Sequence, residues 1–102
     1  MNPAQGDIWW AEAEDKRRPV LVVTRSEAIP VLDWIVIAPI TRTIRGIPTE
    51  IRLDTEDGLF TPCVAALHNV QPIRKTFLTE FVGSISQRRT EICRAVAALT
   101  DC

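Results

Sequence analysis

The chain has 102 residues, of which 46% are hydrophobic and 25% are charged, close to the averages of soluble globular domains. This length and composition fit one domain over residues 1–102 and exclude a disordered tail, a collagen-like fibre and a coiled coil. No apolar run approaches the roughly 18 residues of a membrane span, and residues 1–5 lack the basic stretch and apolar core of a signal peptide. We therefore expect a cytoplasmic protein that makes no contact with a membrane.

The formal net charge is only −1, but the basic residues are mostly arginine. Of the 12 basic residues only Lys16 and Lys75 are lysines, which leaves ten arginines. Arginine makes bidentate contacts with phosphate and stacks on bases, so a local arginine patch could bind nucleic acid. A GC-rich genome, which favours arginine codons, is the alternative explanation.

Cysteine and histidine are few and scattered. The cysteines are Cys63, Cys93 and Cys102, and the only histidine is His68. A tetrahedral zinc site needs four suitably spaced ligands, so we expect neither a metal site nor a cofactor. Cys63 and Cys93 are interpreted as small apolar core residues. A Cys63–His68 nucleophile pair is an alternative with no supporting signature.

The first two thirds of the chain have the apolar pattern of strands. Strands are expected at residues 6–11, 19–24, 34–40, 49–53, 62–67, 70–73 and 82–85. Pro72 confines the strand that contains it to an edge or a break. A loop is expected at residues 11–17, and one helical turn at residues 76–81.

The C-terminal residues change to a helical period. Ser86 is a good N-cap residue, and the apolar face of a helix over residues 87–100 is formed by Ile92, Cys93, Val96 and Leu99. Several short strands followed by one helix predict a mainly β fold, with a small curled antiparallel sheet and a helix packed on it.

The motifs of common enzyme classes are missing from the sequence. It contains no phosphate-binding glycine loop, no G-x-S-x-G elbow and no H-E-x-x-H. Arginines and hydroxyls suit a reaction on an anionic substrate that brings its own nucleophile. Cleavage of RNA by its own 2′-hydroxyl is such a reaction, because the protein needs only to align the groups and stabilise added charge.

Two segments could carry this chemistry. Residues 16–18 place three cations before Pro19, at the entrance of a predicted strand, and residues 41–45 place hydroxyls and arginines just after another. The alternatives are a solvated charge cluster for the first segment and an ordinary polar hairpin loop for the second.

Ordered short motifs give the sequence a resemblance to the MazF/PemK family of toxins from toxin–antitoxin pairs. The matching pieces are GDIW at residues 6–9, RPVLVV at 18–23, APIT at 38–41 and NVQPI at 69–73, followed by Ile85-Ser86 and an alanine-rich helix. They occur in the family's order and span nearly the whole chain. The best fit is to the family's short, arginine-rich members.

The resemblance implies a fold, an activity and partners. The implied fold is a small SH3-like β-barrel of the CcdB/MazF/PemK type with a C-terminal helix, forming a homodimer. The implied activity is metal-independent, sequence-specific cleavage of single-stranded RNA, leaving a 2′,3′-cyclic phosphate and a 5′-hydroxyl and inhibiting translation and growth. A cognate MazE-like antitoxin is the implied protein partner.

The resemblance also assigns roles to individual residues. The family's catalytic arginine falls on Arg18 and its catalytic threonine on Thr41. His68 and Asn69 align with positions near the bound bases, although a satisfied histidine at a strand end is the alternative for His68. The expected RNA backbone patch consists of Lys16, Arg17, Arg42 and Arg45.

The sequence departs from many relatives in the loop at residues 11–17, which is shortened and acidic. No general acid or base is assigned, and the candidates are Glu14, Asp15 and His68. The alternative function is a non-catalytic toxin that poisons gyrase by protein contact on the same barrel, since fold alone does not decide function. Arg18 and Thr41 favour the nuclease, because a gyrase-binding protein would not need them. An inactive interaction domain is a third possibility.

Overall fold

A computed structural model of the chain describes residues 2–13 and 15–100. The strands are β1 (Asp7–Ala13), β2 (Lys16–Val22), β3 (Trp34–Thr41), β4 (Glu50–Leu53), β5 (Cys63–Ala66), β6 (Gln71–Arg74) and β7 (Leu78–Ser84). The helix α1 is Arg89–Thr100, and short 3-10 turns connect several of these elements. Among the described residues, no helix is long and apolar enough to cross a membrane.

The strands form one antiparallel sheet that curls around β3. Its order is β4-β5-β3-β2-β1-β7, and β6 pairs with β3 outside this path. The first half of β3, Trp34–Ile37, pairs with β6, whereas Ile40 and Thr41 pair with β5. Because β3 changes partner along its length, the sheet bends into a half-barrel. This confirms the predicted class, mainly β with a C-terminal helix.

The apolar end of β2, Val20–Val22, is buried on both faces. Leu21 belongs to the cluster under α1, together with Ile92 and Ala95 of the helix, while Val20 and Val22 belong to a second cluster with Trp9. Alternation along β2 produces this division, since successive side chains point to opposite faces. Strands buried on two sides need continuous apolar runs, which explains their clear signal in the sequence.

The prediction of a loop at residues 11–17 is wrong, because most of these residues form the end of the β1–β2 hairpin. β1 continues to Ala13 and β2 begins at Lys16, and these two residues form the last pair of the β1–β2 ladder. Asp15, in the turn, has the left-handed φ of 65°, which aspartate tolerates better than most residues. A run of charged residues is typical of a loop, but here it lies on an exposed hairpin end, where the hydrogen bonds of the ladder continue the two strands.

The helical turn predicted at residues 76–81 is also largely wrong. A 3-10 turn covers only Lys75–Phe77, and β7 begins at Leu78, earlier than the expected strand at 82–85. Two register shifts interrupt the pairing of β7 with β1. Such bulges break the alternation of apolar and polar residues by which a strand is recognised.

The C-terminal helix differs from the predicted one in the residue at which it starts and in the side chains that it buries. A 3-10 turn, Ser86–Arg88, precedes α1, and Ser86 does not cap the helix. Ile92 and Ala95 are buried, but Cys93 is exposed, so its predicted place in the core is wrong. One residue along a helix rotates the side chain by about 100°, which takes Cys93 off the face of Ile92. Cys63 is buried, as predicted.

Candidate functional site

The register of β2 positions Arg18. Arg18 is paired with Ala11 of β1, two residues before buried Val20. By strand alternation it projects on the same face as Val20, but at the exposed end of the strand. The apolar part of β2 therefore anchors a strand whose first residues are three exposed cations.

Thr41 lies at the end of β3, which is the strand next to β2. The β2–β3 ladder pairs Val20 with Pro39, and the same register continued by two residues sets Arg18 opposite Thr41. The β2–β3 ladder itself ends at the Val20–Pro39 pair. On its other edge β3 continues to pair with β5, where Thr41 lies opposite Val64. Arg18 and Thr41 thus each lie two residues beyond the last pair of this ladder, on neighbouring strands.

The two candidate catalytic residues line different cavities. Thr41 and Arg42 line a cavity of about 510 Å³ with the aromatic side chains of Trp10 and Phe60. Arg18 lines a second cavity, of about 240 Å³, whose walls include Lys16, Trp34, Gln71 and Phe77. The structure brings Arg18 and Lys16 together, and Thr41 and Arg42 together. A substrate in contact with both pairs would have to extend across the two neighbouring strands.

Arg17 does not share the environment of its neighbours. Its guanidinium lies over the ring of Trp10, with 4.3 Å from Cζ to the ring centroid. It also donates a hydrogen bond of 3.0 Å to Glu80 Oε2, and Glu12 Oε2 lies 3.8 Å away. Within residues 2–13 and 15–100, no acidic side chain pairs with Lys16 or Arg18. Arg17 is therefore held by aromatic and acidic partners, whereas Lys16 and Arg18 have no such acidic partner among the described residues.

The loop after Thr41 carries two more exposed arginines, Arg42 and Arg45. The Thr41 hydroxyl accepts a 3.2 Å hydrogen bond from the backbone N–H of Thr43, which orients the hydroxyl and leaves its proton free to be donated. Neither arginine side chain forms an ion pair with the described acidic residues. This loop can therefore offer positive charge beside Thr41.

The side chain of Glu50 binds backbone N–H groups of the same loop. Its carboxylate accepts hydrogen bonds from the N–H of Arg45 at 3.0 Å and of Gly46 at 2.8 Å. Burial acts to raise the pKa of Glu50, but backbone N–H donors from residues 45–47 and the charge of His68 outweigh it and lower this pKa below its ordinary value. Glu50 is consequently ionised at neutral pH. An isolated glutamate at the start of a strand forms no recognisable motif, so the sequence alone does not indicate this contact.

His68 and Asn69 lie in a 3-10 turn, Leu67–Asn69, that follows β5. His68 Nδ1 is 2.8 Å from the hydroxyl of Thr49, while Asn69 is exposed. The bond to Thr49 engages one ring nitrogen and leaves Nε2 available. His68 is thus a partly satisfied histidine that can still donate or accept one hydrogen bond.

The alternative Cys63–His68 nucleophile is disfavoured. Burial, followed by the charges of Asp57 and Asp54, raises the pKa of the Cys63 thiol. The thiolate is the nucleophilic form, so a raised pKa opposes this role. Of the remaining acid or base candidates, Asp15 is exposed and Glu14 lies outside the described residues. Within the described part of the chain, no three His, Cys, Asp or Glu side chains are grouped so that they could hold a metal ion.

Comparison with known proteins identifies the family. Residues 4–100 match the family model described as PemK-like, MazF-like toxin of type II toxin–antitoxin system. The chain is 37% identical over 103 residues to "Probable endoribonuclease MazF5" of Mycobacterium tuberculosis, covering 98% of this chain and 94% of that protein. It is also 46% identical over 69 residues to "Endoribonuclease MazF3" of the same species, covering 68% of this chain and 67% of that protein.

Solved structures show the same fold. The M. tuberculosis toxin MazF-mt6 superimposes with a TM-score of 0.85 at 34% identity, covering 93% of this chain and 96% of that one. A mycobacterial endoribonuclease, solved in complex with its cognate antitoxin, has a TM-score of 0.81 at 24% identity, covering 95% and 93%. With a family model that matches nearly the whole chain, these similarities establish that the protein belongs to the PemK-like, MazF-like toxin family of type II toxin–antitoxin systems.

Proposed function

We propose that the protein is the toxin of a type II toxin–antitoxin pair and acts as a sequence-specific endoribonuclease on single-stranded RNA. The nucleophile is the substrate's own 2′-hydroxyl, and the reaction requires no metal ion or cofactor. The 2′-oxygen forms a bond to phosphorus while the bond from phosphorus to the 5′-oxygen breaks. The products are a 2′,3′-cyclic phosphate on one fragment and a 5′-hydroxyl on the other.

The position of Arg18 is the observation that carries this proposal. Its guanidinium is exposed, lines a cavity with Lys16, and has no acidic partner among the described residues, although its neighbour Arg17 has two. An unpaired guanidinium can stabilise the negative charge that develops on the phosphoryl oxygens. Thr41, on the neighbouring strand, supplies a hydroxyl that donates to a phosphoryl oxygen.

The remaining predicted contacts bind the RNA chain and its bases. Lys16, Arg42 and Arg45 are exposed cations that neutralise phosphates. His68 and Asn69 contact base edges, which are accessible in single-stranded RNA. Arg17 is withdrawn from the expected phosphate-binding set, because its charge is already paired and stacked.

The partners follow from family membership. We infer that the protein acts in the cytoplasm as a homodimer of one-domain chains and that a MazE-like antitoxin inhibits it. The cavity lined by Trp10 and Phe60 contains Thr41. A partner seated in this cavity would therefore deny RNA access to Thr41.

Cleavage of a mixed-sequence RNA in excess chelator tests the proposal. Purified protein free of antitoxin should cut at discrete sites, and the fragments should carry cyclic phosphate and 5′-hydroxyl ends. Thr41→Val, which removes only the hydroxyl, should reduce cleavage while the protein remains folded. If the folded wild-type dimer does not cut RNA and instead binds gyrase, the alternative of a non-catalytic toxin replaces this proposal.

A further inference from the structure

The first two residues of the segment 49–53 connect the two loops that carry the proposed RNA contacts. Glu50 opens β4, and Thr49 precedes it. On one side lies the loop of residues 42–48, which contains Arg42 and Arg45. On the other side lies the 3-10 turn Leu67–Asn69, which contains His68.

Glu50 fastens the first loop. Its carboxylate accepts N–H groups from Arg45, at 3.0 and 3.2 Å to its two oxygens, and from Gly46 at 2.8 Å. Gly46 has a left-handed φ of 70°, which turns successive N–H groups of the loop toward one anion. The carboxylate binds the backbone at Arg45, so the side chain of Arg45 stays free for another anion.

Thr49 fastens the second loop. Its backbone carbonyl accepts the N–H of Leu67 at 3.0 Å, and its hydroxyl is 2.8 Å from His68 Nδ1. The ladder pair between Glu50 and Ala66 keeps the two segments in register. The orientation of the His68 ring therefore depends on the residue next to Glu50.

We propose that Thr49 and Glu50 are positioning residues that set the cationic loop and the His68 turn in one arrangement for RNA binding. This inference rests on the proposed ribonuclease function. Glu50 orders the arginine loop, and Thr49 orients the His68 imidazole so that Nε2 faces the bound base. Neither residue needs to touch the RNA.

Two accounts of Glu50 predict opposite changes in RNA affinity when its side chain is removed. Removal of a negative charge from a cationic surface should strengthen RNA binding, because the field that attracts phosphate increases. If Glu50 is a positioning residue, its removal frees the loop and the arginines must be ordered by the RNA itself. That cost weakens binding. The sign of the change in affinity therefore separates the two accounts.

The test for Glu50 measures RNA binding against salt concentration, with an RNA of 2′-O-methyl nucleotides that cannot be cut, and steady-state cleavage of normal RNA. Glu50→Ala should weaken binding and raise KM several-fold, with little change in kcat. The slope of log Kobs against log[salt] should become shallower by about 0.7 for each phosphate that the variant no longer neutralises. Glu50→Gln should largely restore binding, because its carbonyl oxygen can replace Oε1, which accepts both N–H groups.

Glu27→Ala is the matched control. Glu27 is an exposed acid on another loop, 3.7 Å from Arg25, so the change removes the same charge away from the Arg45 loop. It should leave the salt slope unchanged. Tighter RNA binding by Glu50→Ala, or an unchanged slope, would overturn the role of Glu50.

The test for Thr49 measures which sequences are cut. Thr49→Val removes the hydroxyl with little change in shape, and it should relax the preference for one base at the cut site while the salt slope stays at the wild-type value. Thr49→Ser retains the hydroxyl and should keep the wild-type preference. An unchanged preference in Thr49→Val would overturn its role.

The wild-type protein distinguishes this inference from the proposed function. If it cuts RNA and the variants behave like it, only the inference fails. If it binds the modified RNA but cuts no normal RNA, the nuclease proposal fails and the salt slopes still decide the role of Glu50. If it binds no RNA, both fail.

Discussion

The guanidinium of Arg17 stacks on the indole of Trp10, with 4.3 Å from Cζ to the ring centroid, and this interaction sets Arg17 apart from Arg18. Successive residues of a strand face opposite sides of the sheet, so the two arginines enter different environments. Arg17 meets Trp10 and Glu80, whereas Arg18 faces a cavity with Lys16. Two consecutive residues of β2 therefore differ in their proposed roles: Arg17 is structural and Arg18 is catalytic.

Alanine substitutions of these two arginines should have opposite effects. Arg17→Ala should lower the free energy of unfolding by about 1 kcal/mol, since a cation–π interaction and an exposed ion pair are each worth no more than this. Its cleavage rate should stay within a few-fold of wild type. Arg18→Ala should lower kcat by about 100-fold or more with little effect on stability, because the variant cannot stabilise charge at the phosphoryl group.

Denaturant unfolding and steady-state cleavage of the two variants provide the measurement. Arg18→Lys is a further control, and it should not restore full activity, because an ammonium lacks the planar fork of guanidinium. An active Arg18→Ala protein together with an inactive but folded Arg17→Ala protein would reverse the assignment.

The ion pair between Arg88 and Glu91 should make stability depend on acid pH. Arg88 Nε donates to Glu91 Oε2 at 2.6 Å, and this hydrogen bond lowers the pKa of Glu91 from its ordinary value of 4.5, against the opposing effect of burial. A carboxylate with a lowered folded-state pKa stabilises the fold above its unfolded-state pKa, and this stabilisation fades as pH falls through the folded-state value.

Glu91→Gln isolates this contribution. The variant should be less stable than wild type at neutral pH, and the difference should shrink as the pH falls below 4.5. Chemical denaturation of both proteins at neutral pH and near pH 3 measures it. A difference that stays constant over this interval would show that the ion pair does not act through the Glu91 charge.

The two described cysteines should differ in reactivity toward a thiol reagent. Cys93 is exposed on α1, whereas Cys63 is buried and its thiol pKa is raised by that burial. Cys102 lies outside the described residues, so the measurement uses a Cys102→Ser variant in which only the thiols of Cys63 and Cys93 can react. In that variant, a native-state titration should show one fast thiol and a second only after denaturation. Two fast thiols without denaturant would contradict the burial of Cys63.

Alanine substitutions at Gly6 and Gly46 should differ in how much they destabilise the fold, because only one of them creates a steric clash. Both have positive φ, 89° and 70°, but a Cβ on Gly6 would lie 2.9 Å from the Ser86 Cα, and one on Gly46 would meet nothing within 4 Å. Gly46→Ala should therefore cost only the left-handed conformation, about 1–2 kcal/mol. Gly6→Ala should cost measurably more in thermal or denaturant unfolding. Equal destabilisation would mean that Ser86 moves aside freely.

Sequence patterns predict the fold well where burial dictates the residue type. The segment Val20–Val22 is buried on both faces and is apolar throughout, so its strand is evident. β7 is different, because Thr79, Glu80 and Phe81 are all exposed and bulges shift its register against β1. The local pattern therefore predicts only the end of this strand, at residues 82–85, since the pairing of its first half depends on a distant segment.

In the candidate site, too, the sequence indicates individual residues but not their long-range contacts. Family motifs point to Arg18 and Thr41, and the sheet places each of them two residues beyond the Val20–Pro39 pair on neighbouring strands. The sequence groups Arg17 with the phosphate-binding cations, because adjacent arginines look equivalent until their distant partners are known. The carboxylate that accepts a hydrogen bond from Arg17 belongs to Glu80, which lies 63 positions away in the sequence. Long-range pairing of this kind cannot be inferred from spacing.

A pair of matched RNA substrates provides the most direct measurement of the central claim. Both contain a mapped cut site, and one lacks only the 2′-hydroxyl of the nucleotide on its 5′ side. In chelator, the account predicts that the wild-type protein cuts the normal RNA to a cyclic phosphate end, that Arg18→Ala does not, and that the deoxy substrate stays intact. Equal cleavage of both substrates would contradict the claim, because the nucleophile would then come from elsewhere than the RNA.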